Sequence, residues 1–347
     1  MHPRETVVLH GHAEAEAALL AALLADRLPS AYLIGGPRGI GKATLAYRFA
    51  RALLAGVTPR GGGLFGDEPP SLAVDPQHPA ARQIAAGAHR DLLVIQRTVN
   101  QKTGKMRGEI VVEDLAPLQG FLRQTAAHDG GWRVVIVDPA DDLNPTTANR
   151  LLKLLEEPPP RCLWLLVAHS PGGLLPTIRS RCRRLTLAPL SAADCAAVLD
   201  RHLPADADRA LLTELAGGSP GQAIALAQAG AAALHADILG LLAGLPRLDP
   251  QRLHGFADRL AAARAEPQFE AAMALLTDML SRLLRNAPAP ASELALRRHL
   301  LGIHGLDRWL TLWDNARRLV ARAEALNLDR RQVVLDVFLG LAPDARP

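Results

Sequence analysis

From Gly36 to Thr44 the chain reads Gly36-Pro-Arg-Gly39-Ile-Gly41-Lys42-Ala43-Thr44, a match to G-x-x-x-x-G-K. Glycines at this spacing let backbone N–H groups close around a phosphate at the start of a helix, while the lysine reaches the terminal phosphates. Such loops carry Ser or Thr directly after the lysine as a Mg²⁺ ligand, and here that position is Ala43. Thr44 follows one residue on, turned about 100° around the helix. The pattern therefore predicts a phosphate-binding backbone that has lost its usual metal ligand.

A second acid completes the expectation. Trp132-Arg-Val-Val-Ile-Val137-Asp138 has the form of a Walker B strand, whose aspartate holds Mg²⁺ directly or through water. In a hydrolase of this type the next residue is a glutamate that polarises the attacking water; Pro139 supplies neither acid nor base. Asp141 and Asp142 read as a solvated helix start rather than as substitutes. The degenerate nucleotide site would comprise Gly36, Gly39, Gly41, Lys42, Thr44 and Asp138. No cofactor is required, and binding of ATP or ADP is expected to be weak.

The elements that must position these residues are legible around them. A helix over Ala13–Asp26 precedes the short apolar run Ala31–Ile34, and the loop opens a helix with Leu45, Phe49 and Leu53 at i, i+4, i+8. Residues 56–90, rich in Gly and Pro, predict an insertion or a mobile loop. Strand signals follow at Leu92–Ile95, Ile110–Val112, Trp132–Val137, Leu163–Ala168 and Arg184–Leu187, with a helix over Leu115–Thr125 and another around Thr177. Asn144 and Pro145 are N-cap and N1 of a helix that Pro158-Pro159-Pro160 must end. Strands alternating with helices imply a parallel sheet. Beyond Pro189 only helical patterns remain: Asp194–Leu199, Asp208–Ala216, Gln222–Ala227, then Phe269–Leu284, Trp309–Leu326 and Arg330–Leu341.

Length and composition agree with several domains. The 347 residues exceed a single typical domain, and 49% hydrophobic with 21% charged residues can bury real cores. No apolar run approaches the roughly 20 residues of a membrane helix, so a soluble protein without membrane partners is expected. Net charge is +4, and only four of the 39 Lys and Arg residues are lysine, so charge alone argues weakly for nucleic acid. Cys162, Cys182 and Cys195 lack CxxC pairing, which disfavours a disulfide framework and points to a reducing cytoplasm. Ala17–Ala25 follows Glu14 and Glu16, not a basic segment, and reads as a helix rather than a signal peptide.

Taken together, Gly36–Thr44, Val134–Asp138, Asn149-Arg-Leu-Leu-Lys-Leu-Leu-Glu-Glu-Pro158 and Leu175-Pro-Thr-Ile-Arg-Ser180-Arg181-Cys182 resemble the delta-prime family of bacterial DNA polymerase III clamp-loader subunits. The resemblance implies an α/β AAA+ P-loop domain over 1–188, a small helical lid over 189–245, and an all-α collar over 246–347. It implies a subunit that does not turn over ATP, working within the DNA polymerase III holoenzyme. Its partners would be motor (gamma/tau) subunits and a delta subunit in a hetero-oligomeric ring, the sliding clamp, and primed DNA through the complex. Ser180-Arg181-Cys182 resembles the motif whose arginine enters a neighbour's ATP site, so Arg181 would act in trans as an arginine finger. Without that context Arg179, Arg181, Arg183 and Arg184 would read as a solvated basic face.

Other positions follow from the same resemblance. Ser170 lies near the family's sensor position, though a turn residue beside Pro171 is equally consistent. Gly221 stands where active members carry a second-sensor arginine. Relatives with a four-cysteine zinc module have no counterpart here, since 56–90 contains no cysteine and His78 with His89 cannot build a tetrahedral site; no metal is expected. Trp309 and Trp313, i and i+4, form a core or subunit-interface stripe rather than a base-stacking platform. The competing readings are an active AAA+ ATPase, such as a motor-type clamp-loader subunit or helicase loader using Lys42 and Asp138, and a free-standing nucleic-acid-binding regulator.

Overall fold

A computed structural model describes residues 2–57, 71–123, 131–326 and 328–342. The described chain divides into two compact units, Met1–Asp194 and Cys195–Pro347.

The first unit is built on a five-stranded, all-parallel sheet of order β2-β3-β4-β1-β5. Its strands are β1 (Ala31–Gly35), β2 (Leu92–Ile95), β3 (Arg133–Val137), β4 (Cys162–Ala168) and β5 (Arg183–Thr186). Every residue of β1, β3 and β4 is buried, as expected of parallel strands covered on both faces, which read as continuous apolar runs. Helices α1 (Ala13–Leu24), α2 (Lys42–Leu54), α3 (Pro79–Ala85), α4 (Ala116–Arg123), α5 (Pro145–Glu156) and α6 (Pro176–Arg181) supply the connections.

One core joins the sheet to α4, α5 and α6 through Val135, Val137, Trp164, Leu166, Leu151, Leu155 and Ile178. In α2, Leu45 and Phe49 are fully buried, and Phe49 meets Tyr32 of β1 edge-on at 6.0 Å between ring centroids. Arg48 and Arg51 on the same helix bind the carbonyls of Val7 and Thr6, strapping the leading segment to α2.

One local expectation changes. Ile110–Val112 is not a strand: Ile110 makes one bridge to Leu143, and Val112–Leu115 is a 3₁₀ turn. The reason is Asp114, whose carboxylate accepts from Val111 N–H (2.9 Å) and turns the backbone before a ladder can extend. Segment 56–90, expected to be an insertion or mobile loop, contains α3, capped by His78 and burying Ala80, Ala81 and Ile84; its stretch 58–70 lies outside the described residues. Thr125, the expected end of the helix from Leu115, also lies outside them, and that helix begins at Ala116.

The second unit is helical: α8 (Arg209–Leu215), α9 (Pro220–Gln228), α10 (Ala231–Ala243), α11 (Pro250–Ala261), α12 (Glu266–Arg285), α13 (Ala291–Ile303), α14 (Leu306–Leu326) and α15 (Arg330–Leu341), with α7 (Ala192–Leu199) at the junction. Within it Glu293 is buried and accepts from Arg282 Nε (2.9 Å) and Nη2 (2.7 Å), with His235 Nε2 at 3.0 Å. Trp309 is fully buried and donates to the Leu300 carbonyl at 3.0 Å. It therefore belongs to the chain's own core and is unavailable to a subunit interface. Trp313 donates to Thr277 O at 3.0 Å and lies under the Arg317 guanidinium. Among the described residues no single helix is long and apolar enough to cross a membrane.

Candidate functional site

The C-terminal ends of parallel strands are where α/β sheets gather their binding loops. At the end of β1 the chain turns through Gly36 (φ 145°), Gly39 (φ 79°) and Gly41 (φ 103°) into α2. A Cβ on Gly36 would lie 2.4 Å from the Leu187 carbonyl oxygen and 2.8 Å from Ile40 Cδ1, so only glycine passes there. Gly41 is the N-cap of α2 in the left-handed region and offers no capping side chain. The first-turn N–H groups are thus left for a ligand with negative charge, at the positive end of the helix dipole.

Lys42 is 3% exposed, and its ammonium donates to Gly36 O at 2.6 Å and to Pro37 O. Burial pulls its pKa down to about 8; Asp138 and Asp141 oppose the shift and Arg38 adds to it. Asp138, at the end of β3, is pushed upward by burial, against the pull of Lys42 and with Asp142 adding. The sheet therefore brings Gly36, Gly39, Gly41, Lys42 and Asp138 to one end. Thr44 sits partly buried one residue past Ala43.

These residues fit the phosphates of a nucleotide but not its metal. A Mg²⁺ ion beside the loop would find Asp138 and no hydroxyl at position 43. Among the described residues no cluster of three His, Cys, Asp or Glu side chains could hold a metal. His78 and His89 each turn Nδ1 to a local backbone N–H, those of Ala80 and Asp91, both at 3.2 Å.

The acids after Pro139 are not a solvated helix start. They lie in a 3₁₀ turn, Ala140–Asp142. Asp141 accepts from His169 N–H (2.5 Å) and Ser170 N–H (2.7 Å), tying the end of β3 to the loop after β4. Asp142 pairs with Arg97 at 2.9 Å. Both carboxylates have structural partners, so neither stands free as a general base. Ser170 contributes its backbone N–H to this link.

Two neighbours of the loop were not singled out by sequence. His12 Nε2 lies 2.7 Å from Ile40 O, a contact across 28 residues that no local pattern signals. His169 Nδ1 is buried without a partner, and burial lowers the ring's pKa, with Lys42 next in effect. Its position at the end of β4, beside Ser170, was the available signal.

Arg181 lies elsewhere. It ends α6, whose Ile178 is fully buried and anchors the helix to the core. The Arg181 side chain remains 36% exposed; Nη2 is 2.7 Å from Glu156 Oε1, and Nη1 donates to Thr177 O at 3.0 Å. Ser180 Oγ donates to the same carbonyl, and Cys182 is buried with its thiol pushed up to about 11, so neither is reactive. Arg183, two residues after Arg181, pairs in register with Tyr32 near the start of β1. Arg181 is therefore at the N-terminal end of the sheet, opposite the glycine loop. The five residues of β1 put about 13 Å of strand between them.

The sequence matches the family described as DNA polymerase III, delta subunit, over residues 11–191. It is 39% identical over 192 residues to the DNA polymerase III subunit delta' of Pseudomonas aeruginosa, covering 55% of this chain and 53% of that protein. With the delta' subunit of Escherichia coli identity is 33% over 212 residues, covering 60% and 58%. The gamma/tau subunit of Mycobacterium tuberculosis is 28% identical over 357 residues, covering 95% of this chain and 56% of that protein. The matched region thus spans little more than half the length of these relatives.

Proposed function

Because the chain belongs to the DNA polymerase III, delta subunit family, as a delta-prime-like clamp-loader subunit, we propose that it is a non-hydrolysing part of the clamp loader that serves a neighbour's ATP site. Its partners in this reading are gamma/tau motor subunits and a delta subunit in one hetero-oligomeric ring. The ring loads the sliding clamp onto primed DNA in the cytoplasm, and contributes to the DNA polymerase III holoenzyme rather than turning over substrate in this chain. The segments 1–188, 189–245 and 246–347 are its P-loop domain, lid and collar.

The observation that carries the reading is the separation of Arg181 from the chain's own phosphate loop. An exposed arginine at the opposite end of the sheet from Lys42 has no route to a phosphate bound by Gly36–Lys42, but it is open to one presented by another subunit. The loop itself supports the same conclusion: Ala43 removes the Mg²⁺ ligand, Pro139 removes the base, and Gly221 offers no second-sensor side chain. Residual ATP or ADP binding would rest on Gly36, Gly39, Gly41, Lys42, Thr44 and Asp138 without a hydroxyl at position 43, and be weak.

The test is turnover in the reconstituted complex. Arg181→Ala is expected to assemble normally yet depress ATP hydrolysis, since arginine fingers contribute about 10³ to 10⁵ in related chemistry, diluted where several sites share the work. Steady hydrolysis by the isolated chain, abolished by Lys42→Ala, would instead establish an active AAA+ ATPase.

A further inference from the structure

Arg181 does not project freely from the surface. Its two terminal nitrogens are both engaged, Nη2 with Glu156 Oε1 at 2.7 Å and Nη1 with Thr177 O at 3.0 Å. These are the nitrogens an arginine uses to grip phosphate in a forked geometry. The Thr177 carbonyl belongs to the arginine's own helix. Glu156 belongs to α5, and ties the guanidinium to the body of the domain.

Glu156 is placed where a carboxylate is disfavoured. It is the last residue of α5, and the negative end of a helix dipole repels an acid. Arg181 offsets that repulsion. The pair is also open to solvent, at 36% and 42% exposure, so it is weak and readily exchanged. A phosphate arriving at Arg181 carries more negative charge than one carboxylate, and it meets Glu156 as a like charge.

We infer that Glu156 is a positioning residue that holds the Arg181 finger against α5 and is displaced when a neighbouring subunit presents its nucleotide. The inference rests on the in-trans reading of Arg181. Releasing the guanidinium and bringing phosphate up to Glu156 both oppose engagement, so neutralising Glu156 favours it. An exposed pair of this kind supports a change of about two- to five-fold.

The experiment is ATP turnover by the reconstituted clamp-loader complex carrying Glu156→Gln, Arg181→Ala, or both. Glu156→Gln is expected to raise turnover about two- to five-fold at low salt. The gain should shrink, without vanishing, as ionic strength rises from about 0.01 to 0.15 M, where the screening length falls from about 30 to 8 Å; a merely structural role would not produce that salt dependence. In the Arg181→Ala background Glu156→Gln should do nothing. Should Glu156→Gln fail to enter the complex, Glu156→Asp, which withdraws the charge by one methylene, should give a smaller gain in the same direction. Turnover lowered or unchanged by Glu156→Gln, while Arg181→Ala remains impaired, overturns the latch and leaves the finger standing. Full turnover with Arg181→Ala overturns both.

Discussion

Lys42 Nζ donates to the Gly36 carbonyl at 2.6 Å, and the residue is only 3% exposed. The ammonium is held by the loop it serves, and its charge is not fully compensated.

The first prediction concerns this buried cation. Burial lowers the Lys42 pKa from 10.5 to about 8, so between these values the unfolded chain binds the extra proton. Stability of the first unit should therefore rise as pH increases from about 8 to 10.5, and the full penalty applies below 8. Lys42→Met should stabilise the first unit at pH 7 by on the order of 1–3 kcal/mol, raising its thermal midpoint, and abolish that alkaline rise. Melting curves of both chains across this range check it.

Asp141 predicts a different loss. Its carboxylate takes two backbone N–H groups from the loop after β4, those of His169 and Ser170. Asp141→Ala leaves both without acceptors and should destabilise the first unit by about 2 kcal/mol; Asp141→Asn, which keeps one acceptor, should cost about half that. Denaturant midpoints at constant slope measure the difference, and amide exchange at His169 and Ser170 should quicken in step.

The helical unit has its own acid-sensitive element. Burial alone would raise the pKa of Glu293, but hydrogen bonds from His235 and Arg282 outweigh it and hold it below the ordinary 4.5. The stability it contributes is present above pH 4.5 and is lost as pH falls through the lowered folded-state value. Glu293→Gln should destabilise this unit by roughly 3 kcal/mol at pH 7, because Arg282 loses its buried counter-charge. It should also flatten acid unfolding below pH 4.5, measurable by circular dichroism at the helical bands.

What the sequence disclosed depended on whether each element carried a local signal. β1, β3 and β4 were legible because strands buried on both faces are uninterrupted apolar runs, and α5 because Asn144, Pro145 and the proline triplet punctuate it. α10 and α13 were not read: Ala231–Ala243 is apolar nearly all round, which hides its period, and α13 follows an Ala- and Pro-rich lead. The glycine loop and Arg181 could be named from motifs. Their placement at opposite ends of the sheet, and the ties of Asp141 to His169 and Arg181 to Glu156, could not, since each joins residues at least 25 positions apart.

The most direct measurement of the central claim compares ATP hydrolysis by the isolated chain with that of the complete complex containing wild-type or Arg181→Ala subunit. The account predicts no turnover by the isolated chain, and a fall of roughly tenfold or more in the complex when Arg181 is removed. Steady hydrolysis by the isolated chain, together with undiminished turnover in the Arg181→Ala complex, would contradict it.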